Sequence, residues 1–292
     1  MKSKPLVSVI LPTYNRAAVL EKSIESVLRQ SLRELELIVV DDGSEDETPK
    51  LLASVRDPRL RTVRLETNGG ACRARNIGSA VAGAPLLAFQ DSDDLWRPDK
   101  LERQLAHLRD SGADMVFCRM RRISEKGKSF LFPVHSFDPE RMQEELLMEN
   151  RAATQTMLMK AEVWQALRFD ESLRRYQDWD FAIRAAGQFR LAYLPETLAE
   201  SFVQMDSISA TVSSYPALSR LYEKHAALYA AFPGADAVMN RRMGKRLAVS
   251  DPAAAYRHFL RSYHLSRSAY DLSMLFLSAV RSRGKFRPEA ES

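Results

Sequence analysis

Short apolar runs alternate with amphipathic segments through the first third of the chain. The runs have the length of strands and lie at residues 6–11, 37–40, 60–65 and 86–89. Helical spacing follows the runs, as in the series Leu20, Ile24 and Val27 after the first. Strands that alternate with helices predict an α/β fold, in which right-handed crossovers place helices against a parallel sheet.

The pattern is less regular after residue 110. Two further strands are predicted at 115–119 and 154–159. The stretch at 124–137 contains Lys, Gly and Pro without clear periodicity, and it is predicted to be a surface loop or hairpin. A short helix is predicted at 161–167.

After Pro216 only helical spacing remains. Helices are predicted near residues 217–231, 236–249, 253–265 and 269–282. We therefore divide the chain into a first domain at residues 1–215, with halves at about 1–110 and 111–215, and a helical extension at 216–292. With 292 residues, of which 45% are hydrophobic and 28% charged, the chain is long enough to bury a substantial core.

Carboxylates directly follow two of the predicted strands. Asp41 and Asp42 end the second, and Asp91, Asp93 and Asp94 follow the fourth. The carboxyl ends of parallel strands form the edge where α/β sheets bind ligands, and a cation relieves the repulsion within such a cluster. The pattern therefore predicts a site for Mg²⁺ or Mn²⁺ that carries a phosphate ligand. A capped turn is the alternative, because Asp and Ser also favour turns and helix starts.

Export and disulfide signals are weak in this sequence. No apolar run approaches the roughly 20 residues of a membrane-spanning helix, and the first run ends at Pro12 without a small-residue cleavage site. We therefore expect a cytoplasmic protein without a signal peptide. Cys72 and Cys118 are too few for a disulfide framework, so two reduced, partly buried thiols are expected.

The formal charge of +5 is concentrated at the carboxyl end, where residues 216–292 hold 13 Lys and Arg against 6 Asp and Glu. This segment is expected to pack as a helical bundle on the first domain or on a second subunit, forming a homodimer. Peripheral contact with an anionic membrane is the other interpretation, and the two can coexist. The apolar positions available for packing are Leu218, Leu221, Leu228, Phe259, Leu272, Leu275 and Phe276. No nucleic-acid-binding motif or aromatic platform is present, so nucleic acid is not expected as a partner.

Two common nucleotide-binding motifs are disfavoured. Pro-Thr-Tyr-Asn-Arg, rather than a glycine-rich turn, follows the first strand, which argues against a dinucleotide-binding fold. Gly78 and Gly83 have the spacing of a P-loop, but Ala84 and Pro85 follow them instead of Lys and Ser or Thr.

Five segments occur in the order in which family 2 glycosyltransferases carry them. They lie at residues 7–16, 39–44, 68–76, 91–94 and 177–180. Over roughly residues 5–190 the chain thus resembles this family of inverting enzymes with the glycosyltransferase-A fold. The resemblance implies a central, mostly parallel sheet, here followed by a C-terminal helical extension. Two positions depart from the family pattern, namely Gln177, where an acidic residue is usual, and Arg168, where glycine is common.

The resemblance implies a binding site for a nucleotide-sugar donor. Its residues are Pro12, Thr13, Tyr14, Asn15, Asp42, Asn68, Gly69, Arg75, Asp91 and Ser92. Tyr14 offers a stacking face to a base, and Asp42 offers an acceptor to a base N–H; a partly buried loop aromatic and a helix cap are the alternatives. Arg75 either meets a phosphate or forms an ordinary surface ion pair.

The resemblance also implies a metal and a base. Mg²⁺ or Mn²⁺ held by Asp93, with help from Asp91 and Asp94, would offset the charge of a departing nucleotide diphosphate. Inverting transfer needs one carboxylate to accept the proton of the acceptor hydroxyl. Asp178 matches that base, and Asp180 is either the alternative base or a helix cap. Trp179 either lines the pocket or belongs to the core. Trp164 is expected to belong to the core.

The function that the resemblance implies is metal-dependent transfer of one hexosyl or N-acetylhexosaminyl group. The donor would be a nucleotide-diphosphate sugar, with a UDP-sugar expected, and the acceptor a hydroxyl of a glycan or lipid-linked glycan in bacterial cell-surface polysaccharide biosynthesis. A sugar-phosphate nucleotidyltransferase and a non-catalytic nucleotide-sugar-binding module are the alternatives. The presence of Asp91, Asp93 and Asp178 argues against the second of these.

Overall fold

The computed structural model describes residues 4–203 and 214–282, with the side chain of Val203 left out. Nine strands lie within these ranges, all in one sheet. They are β1 (Val7–Thr13), β2 (Leu35–Asp41), β3 (Leu60–Arg64), β4 (Leu86–Phe89), β5 (Leu95–Trp96), β6 (Met115–Ser124), β7 (Ser129–Phe132), β8 (Met157–Lys160) and β9 (Leu191–Val203).

Twelve α-helices occur in the same described ranges. They are α1 (Ala17–Leu28), α2 (Thr48–Ser54), α3 (Ala71–Ala80), α4 (Lys100–Ser111), α5 (Met142–Met148), α6 (Ala161–Leu167), α7 (Gln177–Ala186), α8 (Ser214–Lys224), α9 (Ala226–Ala231), α10 (Pro233–Leu247), α11 (Pro252–Ser266) and α12 (Ala269–Ser282). Two short 3₁₀ turns lie at Pro139–Arg141 and Thr154–Thr156.

The first four strands form the parallel half of the sheet, in the order β3-β2-β1-β4. In β1 and β4 every side chain is buried, on both faces of the sheet. This explains why these two strands appear in the sequence as continuous apolar runs. The register pairs Thr13 with Asp41, so the loops after β1 and β2 leave the sheet side by side.

Beyond β4 the sheet becomes mixed. β8 pairs antiparallel with both β4 and β6, whereas β9 runs parallel to β6 and β5 pairs antiparallel with β9. The predicted α/β fold class is confirmed, and the mostly parallel pairing holds for its first half. Residues 124–137 begin with the hairpin between β6 and β7. The sequence analysis missed β9, whose apolar pattern is interrupted by Pro195 and whose register against β6 shifts after Cys118.

Contacts divide the chain into two units. One comprises the described parts of residues 1–142 and 150–210, and the other those of 143–149 and 211–292. The boundary predicted near residue 215 stays a prediction, but residues 143–149 group with the C-terminal helices rather than with the sheet. None of the helices in the described ranges has both the length and the hydropathy that crossing a bilayer requires.

Both cysteines are buried, as are Trp164 and Trp179. Cys72 and Cys118 are free thiols, as expected. Trp164 is buried and belongs to the core, as predicted, and Trp179 is also buried, which favours the core interpretation over the pocket interpretation.

Candidate active site

The loop after β1 is tied to the loop after β2. Asn15 has a positive φ of 51°, and its N–H donates to the Ser44 hydroxyl at 2.9 Å. Its side-chain oxygen accepts from the N–H of Glu45 at 2.8 Å, and the Arg16 N–H donates to the Thr48 hydroxyl at 3.1 Å. Asn15 therefore holds the two loops together, which is a structural role in addition to the donor-binding role implied by the sequence.

The end of β1 separates buried from exposed residues. Pro12 and Thr13 are buried, and the Thr13 hydroxyl has no hydrogen-bond partner among the described residues. Tyr14, the next residue, exposes 41% of its surface. Asn68 is exposed as well. The Tyr14 ring is thus available for stacking at the sheet edge, as the sequence analysis requires.

Asp42 anchors the glycine turn before α3. Its carboxylate accepts from the Gly69 N–H at 3.0 Å and from the Gly70 N–H at 2.7 Å, and the residue is buried. Gly70 has a φ of 89°, a conformation that side chains disfavour. Asp42 does not cap α2, which begins at Thr48. A carboxylate has about four acceptor positions, so these two bonds leave capacity for a ligand N–H.

The acidic loop after β4 places its three carboxylates in different surroundings. Asp91 forms an ion pair with Arg75 at 2.7 Å, whereas Asp93 is half-buried. Asp94 is almost fully buried and accepts from the Gln155 amide and, at 3.3 Å, from the Phe202 N–H. Burial raises the pKa of Asp94, and the neighbouring charges of Asp91 and Asp93 raise it further.

These surroundings bear on the predicted metal site. In the described parts of the chain no three His, Cys, Asp or Glu side chains are gathered as a ready-made metal site. Mg²⁺ commonly uses one or two carboxylates and takes its other ligands from phosphates and water. The carboxylate oxygens of Asp93 and Asp91 are hard donors of the kind that Mg²⁺ and Mn²⁺ prefer, so they fit such a site. The Asp94 carboxylate already accepts from Gln155 and from the Phe202 N–H, and its role as a metal ligand stays a prediction.

Arg75 is buried and connects two of the predicted functional segments. Besides its ion pair with Asp91, it lies 3.4 Å from the Gln177 side-chain oxygen at the start of α7. The guanidinium also lies 5.7 Å from the centre of the Phe169 ring. Arg75 exposes 5% of its surface, and its Nε has no hydrogen-bond partner among the described residues. This is not the surface ion pair considered as an alternative in the sequence.

Asp178 lies in the first turn of α7 and is half-buried. Burial raises the pKa of its carboxyl. Hydrogen bonds from the Asn150 side chain and from the Trp179 N–H, together with the positive charges of Arg122 and Arg75, offset part of that rise. Asp178 is thus a carboxylate with increased basicity that interacts electrostatically with two arginines.

Asp180 has a different environment, although it lies only two positions further along. It is fully buried and accepts from the Arg184 guanidinium at 2.7 Å and 2.9 Å. Arg184 also donates to the backbone oxygens of Leu167 and Arg168. Asp180 therefore holds α7 against the end of α6.

Two residues near the site had no signal in the sequence. Arg122, on β6, lies 4.2 Å from the centre of the Phe132 ring and interacts electrostatically with Asp178 and Asp94. Asn150 donates to Asp178 from the segment before β8. Both are far from these carboxylates in sequence, and only β-sheet pairing and loop packing bring them near.

The family match agrees with the first half of this site. A family model described as "Glycosyl transferase family 2" matches residues 8–170. This range contains the β1, β2 and β4 loops but ends before Asp178, so it does not cover the base candidate.

Two relatives illustrate the sequence similarity. The chain is 30% identical over 218 residues to an uncharacterized glycosyltransferase of Haemophilus influenzae, covering 72% of this chain and 84% of the relative. It is 38% identical over 125 residues to the succinoglycan biosynthesis protein ExoO of Rhizobium meliloti. That second match covers 43% of this chain but only 36% of ExoO.

Two solved structures illustrate the similarity of fold. One is S. aureus TarS in complex with UDP-GlcNAc, which is 19% identical with a TM-score of 0.65 over 93% of this chain and 79% of that one. The other is the mannosyltransferase PcManGT from Pyrobaculum calidifontis in complex with GDP-Man and Mn²⁺. It is 20% identical with a TM-score of 0.64 over 98% of this chain and 82% of that one. These likenesses establish the glycosyltransferase-A fold.

Proposed function

This chain belongs to glycosyl transferase family 2, and we propose that it transfers one sugar, with inversion, from a nucleotide-diphosphate sugar to an acceptor hydroxyl. The observation that carries the proposal is the connection through Arg75. This residue contacts the acidic loop at Asp91 and the first turn of the helix that bears Asp178. A donor-binding loop and a candidate base are thereby held in one site.

The donor side would be formed by the loops after β1 and β2. Tyr14 would stack on the base, and the remaining acceptor capacity of Asp42 would take a base N–H. We propose a UDP-sugar, in agreement with the ligand named for TarS, although PcManGT is named with GDP-Man. Since both proteins share the fold, the base specificity of this chain depends on its own loop residues.

We place Mg²⁺ or Mn²⁺ at Asp93 and Asp91. When bound, such an ion offsets the negative charge that develops on a nucleotide-diphosphate leaving group. Asp93 would contribute an oxygen ligand, while the Arg75 ion pair orients the Asp91 carboxylate. The metal complex named for PcManGT supports this part of the proposal for this chain.

Asp178 would accept the proton of the acceptor hydroxyl. A base is more effective when its pKa is nearer the working pH, and burial moves the pKa of Asp178 in that direction. Asp180 is the weaker candidate, because its carboxylate is fully buried and paired with Arg184. Arg122 and Arg75 would favour the ionised form of Asp178 before the reaction.

For the acceptor we propose a glycan or a lipid-linked glycan of a bacterial cell-surface polysaccharide, made at the cytoplasmic face of the membrane. The support is similarity to ExoO, named for succinoglycan biosynthesis. Because the match covers only 36% of ExoO, the similarity does not establish the pathway, and the pathway is part of the proposal. A nucleotidyltransferase and a binding module remain outcomes of the test.

The test is a screen of purified protein against UDP- and GDP-sugars with Mn²⁺, Mg²⁺ or excess chelator, with release of nucleoside diphosphate as the readout. Metal-dependent release from one donor, increased by an added glycan acceptor and accompanied by an inverted product in NMR spectra, is expected. Pyrophosphate formed from a sugar phosphate and a nucleoside triphosphate would identify a nucleotidyltransferase. Donor binding without turnover for any donor and acceptor would identify a binding module.

A further inference from the structure

Four large apolar side chains of the last described helix face outward. On α12, Leu272 is 49% exposed, Phe276 69%, Leu277 46% and Val280 51%. We call these four residues the α12 apolar face. The bundle expected from the sequence buries Leu218, Leu221 and Phe259, but it leaves Leu272 and Phe276 exposed. Core packing therefore does not explain this part of the pattern.

The most deeply buried residues of α12 are polar. Asp271 is fully buried, and Ser278 and Ser282 are nearly so. The Asp271 carboxylate accepts from Arg241 of α10 at 2.6 Å and 2.7 Å, and from the Ser262 hydroxyl of α11 at 2.8 Å. Met274 and Leu275 also lie on the buried side and pack against the hydrophobic cluster that contains Leu247 and Phe259. The hydrogen bonds of Asp271 fix the rotation of the helix, so the α12 apolar face is held outward although an ordinary amphipathic helix buries its apolar residues.

The helical segment that carries the face is basic. Residues 214–282 contain ten Lys and Arg against four Asp and Glu. Two of the acids are buried and neutralised, since Asp236 pairs with Arg261 at 2.6 Å and Asp271 pairs with Arg241. Lys245, Arg246, Arg267 and Arg281 are exposed basic residues of α10 to α12 or of the turn between them.

The rim of the α12 apolar face is aromatic and basic. Tyr270 is 44% exposed, and the Lys245 ammonium lies 4.7 Å from the centre of its ring. After Ser282 the sequence continues with Arg283, Lys285 and Arg287, which lie outside the described residues. Outward apolar side chains next to Lys, Arg and Tyr are typical of helices that lie in the interface of an anionic bilayer.

We propose that the α12 apolar face docks on an anionic lipid surface. Apolar side chains would enter the boundary between headgroups and acyl chains, while the basic residues near the surface would be attracted to the anionic headgroups. A second copy of the chain is a poorer occupant. A two-fold interface brings the same patch against itself, and here it would bring like charges together. The proposal needs no particular donor or acceptor and is independent of the proposed reaction.

The experiment measures binding of the full chain to vesicles by flotation. One set of vesicles is phosphatidylcholine alone, and the other contains about one third phosphatidylglycerol. The wild type is expected to bind only the anionic vesicles and to be released by about 0.5 M salt. The double variant Leu272→Ser/Phe276→Ser is expected to bind at least about tenfold more weakly, because two large apolar side chains no longer enter the bilayer.

Phe130→Ser is the matched control, because Phe130 is 51% exposed on β7. It should bind the anionic vesicles as the wild type does. Equal losses in the control and the double variant, or no vesicle binding by the wild type at low salt, would overturn the proposal. Light scattering adds a further outcome: a wild-type dimer that the double variant converts to a monomer would assign the face to a second copy. Unchanged thermal unfolding of the variants shows that they remain folded.

Discussion

The buried Arg75 guanidinium and the half-buried Asp91 carboxylate form an ion pair, with 2.7 Å between Nη2 and Oδ1. The same guanidinium reaches the Gln177 side-chain oxygen at 3.4 Å. Gln177 is one of the two departures from the family pattern. A neutral acceptor at this position adds no second negative charge beside Arg75, so Arg75 and Asp91 remain balanced as one cation and one anion.

Arg75→Lys tests the connection between the two segments. Lysine keeps the charge but cannot bond Asp91 and Gln177 with a planar fork, so one charged hydrogen bond would be lost. We expect the free energy of unfolding to fall by about 1.5–3 kcal/mol and kcat to fall more than donor affinity. Thermal unfolding and steady-state kinetics measure the two effects. Arg109→Lys, an exposed change on α4, serves as the control. A kcat equal to that of the control would contradict the positioning role.

Asp93→Asn tests the metal site. The substitution removes the charge of the proposed oxygen ligand, and metal ions supply several kcal/mol to such reactions, so kcat should fall by about 10²-fold or more. Calorimetry should show that Mn²⁺ no longer strengthens binding of a nucleoside diphosphate. Asp110→Asn removes an exposed carboxylate on α4 and should change neither quantity. Full activity of a folded Asp93→Asn protein, or of the wild type in excess chelator, would exclude the assignment.

Asp178→Asn and Asp180→Asn separate a base from a structural acid. Asp178→Asn should lower kcat by about 10² to 10⁴ and leave donor affinity unchanged, because the base acts in the transition state. Asp180→Asn should instead lower the free energy of unfolding by about 3 kcal/mol, because Arg184 loses its charged partner. Kinetics and thermal unfolding of both variants are compared. The opposite outcome, normal turnover in Asp178→Asn and none in folded Asp180→Asn, would reverse the assignment.

The substitution Asn150→Ala is expected to shift the pH dependence of kcat/KM. The Asn150 hydrogen bond favours the charged form of Asp178, so its removal raises the pKa of Asp178 further. A base works only when deprotonated, and activity is lost as pH falls through its pKa. The acidic limb should therefore move to higher pH, while the basic limb stays in place. An unmoved acidic limb in a folded variant would show that Asp178 does not control that limb.

Lys100→Met tests a buried charge away from the site. Lys100 is fully buried, donates to Gln104 at 2.6 Å and lies 3.7 Å from the Trp96 ring centre, and burial lowers its pKa from 10.5 to about 8. Between pH 8 and 10.5 the unfolded chain binds more protons, so this group makes stability rise with pH by about 3 kcal/mol. Lys100→Met has no titratable group at this position, so it lacks this rise in stability with pH.

The comparison is the difference in unfolding free energy between wild type and Lys100→Met at pH 7 and pH 10. Burial raises the pKa of Cys118 to about 11 and that of Cys72 to about 12, which lowers stability above the ordinary thiol pKa of 9.0 in both proteins. Subtraction largely removes this effect. The free energy of unfolding of the wild type should increase relative to that of the variant as pH rises. A difference that does not change with pH would show that Lys100 keeps its ordinary pKa in the fold.

The sequence by itself determined the order of elements in the parallel half and the strand ends that carry Asp42, Asp91 and Asp93. These features depend on local periodicity and on chemistry within a few neighbouring residues, which a sequence displays directly. The sequence left both Asp178 and Asp180 as candidate bases. The structure distinguishes them, because Arg184 pairs with Asp180 and donates to the Leu167 oxygen at the end of α6.

Only the tertiary structure decided which distant residues meet. The Arg75 ion pair joins α3 to the β4 loop, and Asn150 reaches Asp178 from another segment. The same holds for α12, whose apolar stripe predicts a buried side from spacing alone. The hydrogen bonds that Asp271 accepts from Arg241 and Ser262 fix the helix so that Leu272 and Phe276 face outward, while Leu275 packs on the bundle. Burying Asp271 requires those partners, and no local pattern shows where in the chain they lie.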